Sequence, residues 1–179
     1  MPGPLWQATR DLHHDAEAHP LARAMIDATI TSQAWADWLH AHWTIQLALD
    51  PHLPLAVRRA DALALDLLAL LPVEGRASPA AAEFTATLID PVAIFGAAYL
   101  TIGAHRRGGR VIDKALRTAG RDLPSRHTAF EDGAAAEAFV RQLREMPALA
   151  PGARRAFAAL TAVMDEIVAR GDVHAEARS

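Results

Sequence analysis

Nine histidines occur in a chain of 179 residues that has no cysteine, and six of them come early: His13, His14, His19, His40, His42 and His52. The lack of thiols removes disulfide scaffolds, thiolate zinc sites, cysteine-held iron–sulfur clusters and cysteine nucleophiles. Metal chemistry therefore falls to imidazole and carboxylate. One reading makes the histidines structural residues of helical surfaces. Another is a two-metal carboxylate site, which needs acidic residues from several helices and Glu-x-x-His pairs facing inward. His14-Asp15-Ala16-Glu17 offers one such pair in reverse order. The last two predicted helices contribute no histidine before His174, so the remaining ligands are missing.

A third reading needs a single imidazole. Thr9, His13 and Glu17 lie four residues apart, on one line of a helix. Glu17 is placed to orient His13 directly or through water, which fixes the tautomer and strengthens the ring as an axial ligand, here to a haem iron. Arg10, just before His13, is placed to meet a carboxylate. A second signal is the run Tyr99-Leu-Thr-Ile-Gly103-Ala-His105-Arg-Arg-Gly108-Gly109-Arg-Val-Ile112. Glycine inside a helix costs up to ~1 kcal/mol relative to alanine. Three glycines between 103 and 109 imply either a plain inter-helix loop or a bend where backbone comes close to something flat.

Helices must position these residues. Half the chain is apolar (51%), and 41 residues are alanine against one tyrosine and five phenylalanines. Alanine loses least on entering a helix, whereas aromatic and β-branched residues dominate sheets. Start and stop signals divide the chain into seven or eight helical stretches. Pro4 opens the first, which runs to about His19. Leu21 to Ile30 is short. Thr31 or Ser32 caps the next, where Trp35, Trp38, Leu39, His42, Ile45, Gln46 and Leu49 recur as one buried stripe. Asp50-Pro51 ends it. Pro54 to Leu71 is apolar almost all round, with Arg58, Arg59, Asp61 and Asp66 as the wet positions. PVEGRASP (72–79) is a loop leading into a short helix through Ser78-Pro79, and Asp90-Pro91 opens the helix that carries Tyr99. Gly120 closes its continuation, and Glu131 to Met146 and Pro151 to Arg170 are the last two helices. No run alternates at strand period and no linker stands out. The expected fold class is all-α, with one domain over 1–171 and a tail over 172–179.

These two signals together resemble the heme oxygenase family. Ala8-Thr9-Arg10-Asp11-Leu12-His13-His14-Asp15-Ala16-Glu17 is similar to its proximal helix, in which the histidine ligates iron and the glutamate four residues later supports it. The run from Tyr99 to Ile112 resembles its glycine-kinked distal helix, and most of the chain fits the family's plan. The resemblance implies a helical bundle holding haem between those two helices, with His13 as metal ligand. The site it implies takes His13, Glu17, Gly103, His105, Gly108 and Gly109 as catalytic, and Arg10, Tyr99, Ala104 and Arg141 as haem-binding. The implied reaction opens haem, which is prosthetic group and substrate together, with O2 and reducing equivalents to biliverdin, CO and ferrous iron. Electrons then come from outside, from a ferredoxin, a flavodoxin-type protein or an NAD(P)H-dependent reductase. Counting back from Gly108-Gly109, His105 stands where many members have an aspartate and Ala104 where a glycine is usual; a one-residue shift restores Gly103 to a glycine position. Two alternatives stay open: a non-catalytic haem protein for storage, trafficking or sensing, with His105 as a second axial ligand, and a relative of the same fold that takes no haem.

Charge bounds the partners. A net charge of −3 and a pI near 6.3 argue against a nucleic-acid binder. The charge is unevenly spread, however. Residues 105–126 carry Arg106, Arg107, Arg110, Lys114, Arg117, Arg121 and Arg126 against Asp113 and Asp122 alone. Such a run reads as a solvated face, or as one that meets propionates or an acidic electron-transfer partner. The sequence shows neither a signal-peptide pattern nor an apolar stretch long enough to span a bilayer, so the expected location is the cytoplasm.

Overall fold

The computed structural model describes residues 3–173; His174 and the rest of the expected tail lie outside the described residues. The described residues form nine α-helices and contain no strand. These are α1 (Pro4–Ala18), α2 (Pro20–Ile26), α3 (Ser32–Leu49), α4 (Ala60–Ala69), α5 (Pro79–Thr85), α6 (Pro91–Gly103), α7 (Gly109–Thr118), α8 (Gly133–Arg144) and α9 (Ala150–Ala169). The caps are those that local chemistry calls for. Thr31, Ser78, Asp90 and Asp132 each accept a hydrogen bond from the backbone N–H three residues on, and proline opens α1, α2, α5 and α6. Gly120 (φ +68°) and Gly171 (φ +82°) adopt the left-handed turns that end α7 and α9.

The core is built on α3, α6 and α9. Trp35, Leu39 and Ile45 of α3, Ala97, Ala98 and Ile102 of α6, and Val163 and Ile167 of α9 are almost wholly buried. Each large aliphatic side chain so buried contributes about 1.5–3 kcal/mol. The α6–α9 crossing is the tightest. A side chain at Gly96 would run into the backbone of Gly152 and Ala153, and one at Gly152 into the backbone of Val92. Two glycines therefore let the helices meet backbone to backbone.

Two local expectations are corrected and an open one is settled. The apolar stretch from Pro54 makes only a 3-10 turn at Leu55–Val57 and is not α-helical until Ala60, because the Asp50 carboxylate accepts from the N–H groups of Arg59 and Ala60 and sets the start of α4 there. Asp66 and Arg59, read as wet positions, are buried. Asp66 takes three hydrogen bonds from residues 126 and 127, while Arg59 stacks 4.1 Å over the Phe130 ring. Of the two readings of the glycine run, the structure bears out the distorted helix over the loop: Ala104–Gly108 form a single π-helical turn that joins α6 to α7 as one continuous rod. Such a turn carries an extra residue, which changes the direction of the side chains after it.

Candidate functional site

Helix α1 enters the bundle through Gly3, where a Cβ would fall 2.6 Å from the Arg144 side chain of α8. Its inward line carries Leu5, Thr9 and His13. Thr9 is wholly buried and its hydroxyl donates to the Leu5 carbonyl at 2.9 Å. Across from it on α6 stands Tyr99, whose hydroxyl lies close enough to the Thr9 and Arg144 side chains for both to favour its ionised form. Burial raises the pKa of this phenol, while Arg144 and Arg107 pull the other way, so the tyrosine stays protonated.

One turn beyond Thr9, the His13 ring stands edge-on to Phe157 of α9, with centroids 4.5 Å apart. Its Nε2 is buried and has no hydrogen-bond partner. Burial holds its pKa below the usual 6.5, against the opposing pull of the Glu17 carboxylate. The ring is thus neutral at pH 7, the form that ligates metals. Glu17 is exposed and acts on His13 through its charge.

On the facing rod, Gly103 shares a helical line with Tyr99, and a Cβ there would meet only Val140 Cγ1 of α8, at 4.0 Å. Gly108 is open on all sides. Packing inside the chain therefore requires glycine at neither place. Gly109 differs, since its Cβ would fall 2.6 Å from Thr128 Cγ2. Ala104 begins the π turn and is half-buried.

His105 lies elsewhere. It is buried between two other imidazoles, 4.8 Å from the His42 ring centroid and 5.1 Å from that of His127. His127 Nδ1 lies 2.7 Å from Oδ2 of the buried Asp66. Burial, with His127 nearby, lowers the His42 pKa to about 3 and pushes His105 well below its ordinary value. Both rings are neutral. Among the described residues no group of three His, Asp or Glu side chains converges on a metal position, which leaves the two-metal reading without a site.

The structure thus sets Thr9 near Tyr99 of α6, His13 against Phe157 of α9 and Gly103 opposite Val140 of α8, and turns His105 toward α3. Arg10 is exposed on α1 and Arg141 on α8. The cation that reaches Tyr99 is Arg144, which sequence reasoning missed because both arginines sit at the end of one helix with nothing local to choose between them. Asp66, His127 and Phe157 were also missed, since their contacts span long stretches of sequence. Of the basic run, Arg106 pairs with Glu137 at 3.3 Å, Arg117 with Asp113, and Arg121 donates to the carbonyls of Ala28 and Ile30. Arg107, Arg110, Lys114 and Arg126 are exposed.

No family model and no curated protein matches the sequence. Solved structures are similar to it, among them two heme oxygenases. A heme oxygenase from Leptospira interrogans shares 16% identity at a TM-score of 0.76, covering 93% of this chain and all (100%) of that one. A heme oxygenase of the cyanobacterium Synechocystis, solved in complex with heme, shares 14% identity at a TM-score of 0.74, covering 92% of this chain and 89% of that one. The helices that carry His13 and the glycine run are therefore two members of one shared arrangement: this chain has the all-α heme oxygenase fold.

Proposed function

We propose that this protein is a heme oxygenase that binds haem between α1 and the α6–α7 rod, with His13 as axial ligand. The proposed reaction opens haem with O2 and external electrons to biliverdin, CO and ferrous iron. Unpartnered buried ring nitrogens occur on His13, His40, His42 and His105, and the one that carries the reading is His13 Nε2, on a half-buried, neutral imidazole of the helix line that also holds Thr9. Buried polar atoms are almost always paired, so one left free on an inward helix line fits a ligand atom. The rest of the site agrees. Gly103 leaves the rod bare where it faces α8, and a flat macrocycle needs such a surface. Tyr99, Arg144 and Arg107 place a hydroxyl and two cations at the edge, suited to carboxylates. Bound there, haem supplies the iron that binds O2. The chain's own residues hold it, keep the imidazole neutral and bare the face opposite.

A protein with two axial histidines is the less supported alternative, because the His105 ring is enclosed by His42 and His127. Exposed Arg107, Arg110, Lys114 and Arg126 fit an acidic ferredoxin, flavodoxin-type or NAD(P)H-dependent donor, and such donors suit a cytoplasmic site. No helix among the described residues is long and apolar enough to cross a membrane. Haem titration of the wild-type chain and of His13→Ala, followed by reduction with ascorbate or ferredoxin in air, tests the proposal. It expects a Soret band that depends on His13 and then the long-wavelength absorption of biliverdin. An identical Soret band in His13→Ala overturns the ligand assignment, and stable haem under reduction overturns the activity.

A further inference from the structure

Asp66 is wholly buried on α4 and devotes its carboxylate to the turn Arg126–Thr128. Oδ1 accepts from the Arg126 N–H at 2.9 Å; Oδ2 accepts from the His127 N–H at 3.0 Å and pairs with His127 Nδ1 at 2.7 Å. The carboxylate keeps the imidazole proton on Nδ1 and so fixes the ring's orientation. That turn then touches the rod at two points. The His127 ring stands at 80° to His105, inside the π turn, and Thr128 Cγ2 fills the space in front of Gly109, the first residue after it. Two further ties hold the loop: Trp35 Nε1 donates to the Pro124 carbonyl, and the Ser125 hydroxyl donates to Asp113 of α7.

We propose that Asp66, His127 and Thr128 are positioning residues that set where the π turn stands, and so which edge of a bound macrocycle that turn crowds. The inference rests on the haem reading above. It adds a brace whose parts lie on α4 and the 126–128 turn, apart from α1 and its His13. A carboxylate that holds two backbone N–H groups and one ring at once is rigid, and a displacement of about 1 Å at a reacting centre costs up to about 100-fold in rate.

The test uses the full chain loaded with ferric haem, with azide as a probe of the space beside the iron. Asp66→Asn keeps one of the two acceptor oxygens and replaces the other with an NH2 donor, so it loses one backbone hydrogen bond and the carboxylate that fixes the His127 tautomer. Gly109→Ala drives a methyl group into Thr128, and Gly109→Ala/Thr128→Ser withdraws the methyl it meets while keeping the hydroxyl. The expected result is unchanged haem affinity, with azide affinity and the ratio of biliverdin isomers altered about tenfold in Asp66→Asn and in Gly109→Ala. The double variant returns toward wild type. Unchanged azide affinity and isomer ratio in both single variants, or a double variant as impaired as Gly109→Ala, overturns the proposal. If Asp66→Asn does not fold, the Gly109/Thr128 pair decides alone. Failure of the haem reading is separable, since it appears as a wild-type chain with no His13-dependent Soret band. Hydrogen exchange at amides 104–109 of the haem-free protein then reads the brace: faster exchange in Asp66→Asn supports it and unchanged exchange overturns it.

Discussion

The two faces of α6 are opposite solutions to placing an imidazole in a helical bundle. Toward α8, Gly103 leaves room beside Val140, and on neighbouring α1 His13 keeps an unpartnered Nε2 against Phe157 of α9. On the face toward α3, His105 is enclosed by His42 and His127, and Asp66 locks the last of these in place. One histidine is neutral and free to act, while the other is neutral and sealed. A chemically competent residue is therefore identified by what surrounds it: His105 Nε2 is unpartnered as well, but its ring is enclosed by other imidazoles, whereas the His13 ring is only half-buried.

Removing the key group from each face gives the largest effects. His13→Ala is expected to lower haem affinity by about 10- to 100-fold, measured by Soret titration, with little change in melting temperature. Equal affinities would erase the contrast between the faces. On the sealed face, Asp66→Ala leaves two backbone N–H groups and an imidazole buried and unpaired, and costs about 3–5 kcal/mol in denaturant unfolding.

A pH titration sharpens the comparison. His42 is held at about 3 in the folded chain against the ordinary 6.5 of a solvated imidazole, so below pH 6.5 the unfolded chain takes up a proton that the folded chain refuses. The unfolded state then binds more protons, and stability falls as pH drops from 6.5 toward 3, by up to about 1.4 kcal/mol per unit for that ring. Above 6.5 this contribution is flat. His42→Phe, which replaces two unpartnered ring nitrogens with carbon, is expected to change stability at pH 8 by no more than about 1 kcal/mol and to flatten that acid slope. A slope as steep as wild type would show that His42 is not sealed. The smallest effect belongs to neither face: reversing Arg107, Arg110 and Lys114 to Glu is expected to shift stability by less than about 0.5 kcal/mol per site. It should abolish any salt-dependent step in reduction by an acidic donor.

Much of the fold is legible locally. Thr31, Ser78, Asp90 and Asp132 cap helices because a short side-chain oxygen reaches the N–H three residues on, a relation that needs no tertiary partner. Gly120 and Gly171 end helices for an equally local reason. The start of α4 was not legible, because its cap is Asp50, which approaches from a separate turn. The burial of Asp66 and Arg59 was hidden for the same reason, as was the choice of Arg144 over Arg141.

What the amino-acid order determined by itself is the set of helices, their ends, and the line that places Thr9, His13 and Glu17 on one stripe, since helical periodicity and capping act over three or four residues. Only the tertiary structure decided which side of α6 each histidine serves, and that packing requires glycine at Gly96 and Gly152. Those outcomes depend on groups far apart in the chain competing for the same interior space, and that competition is settled by packing alone.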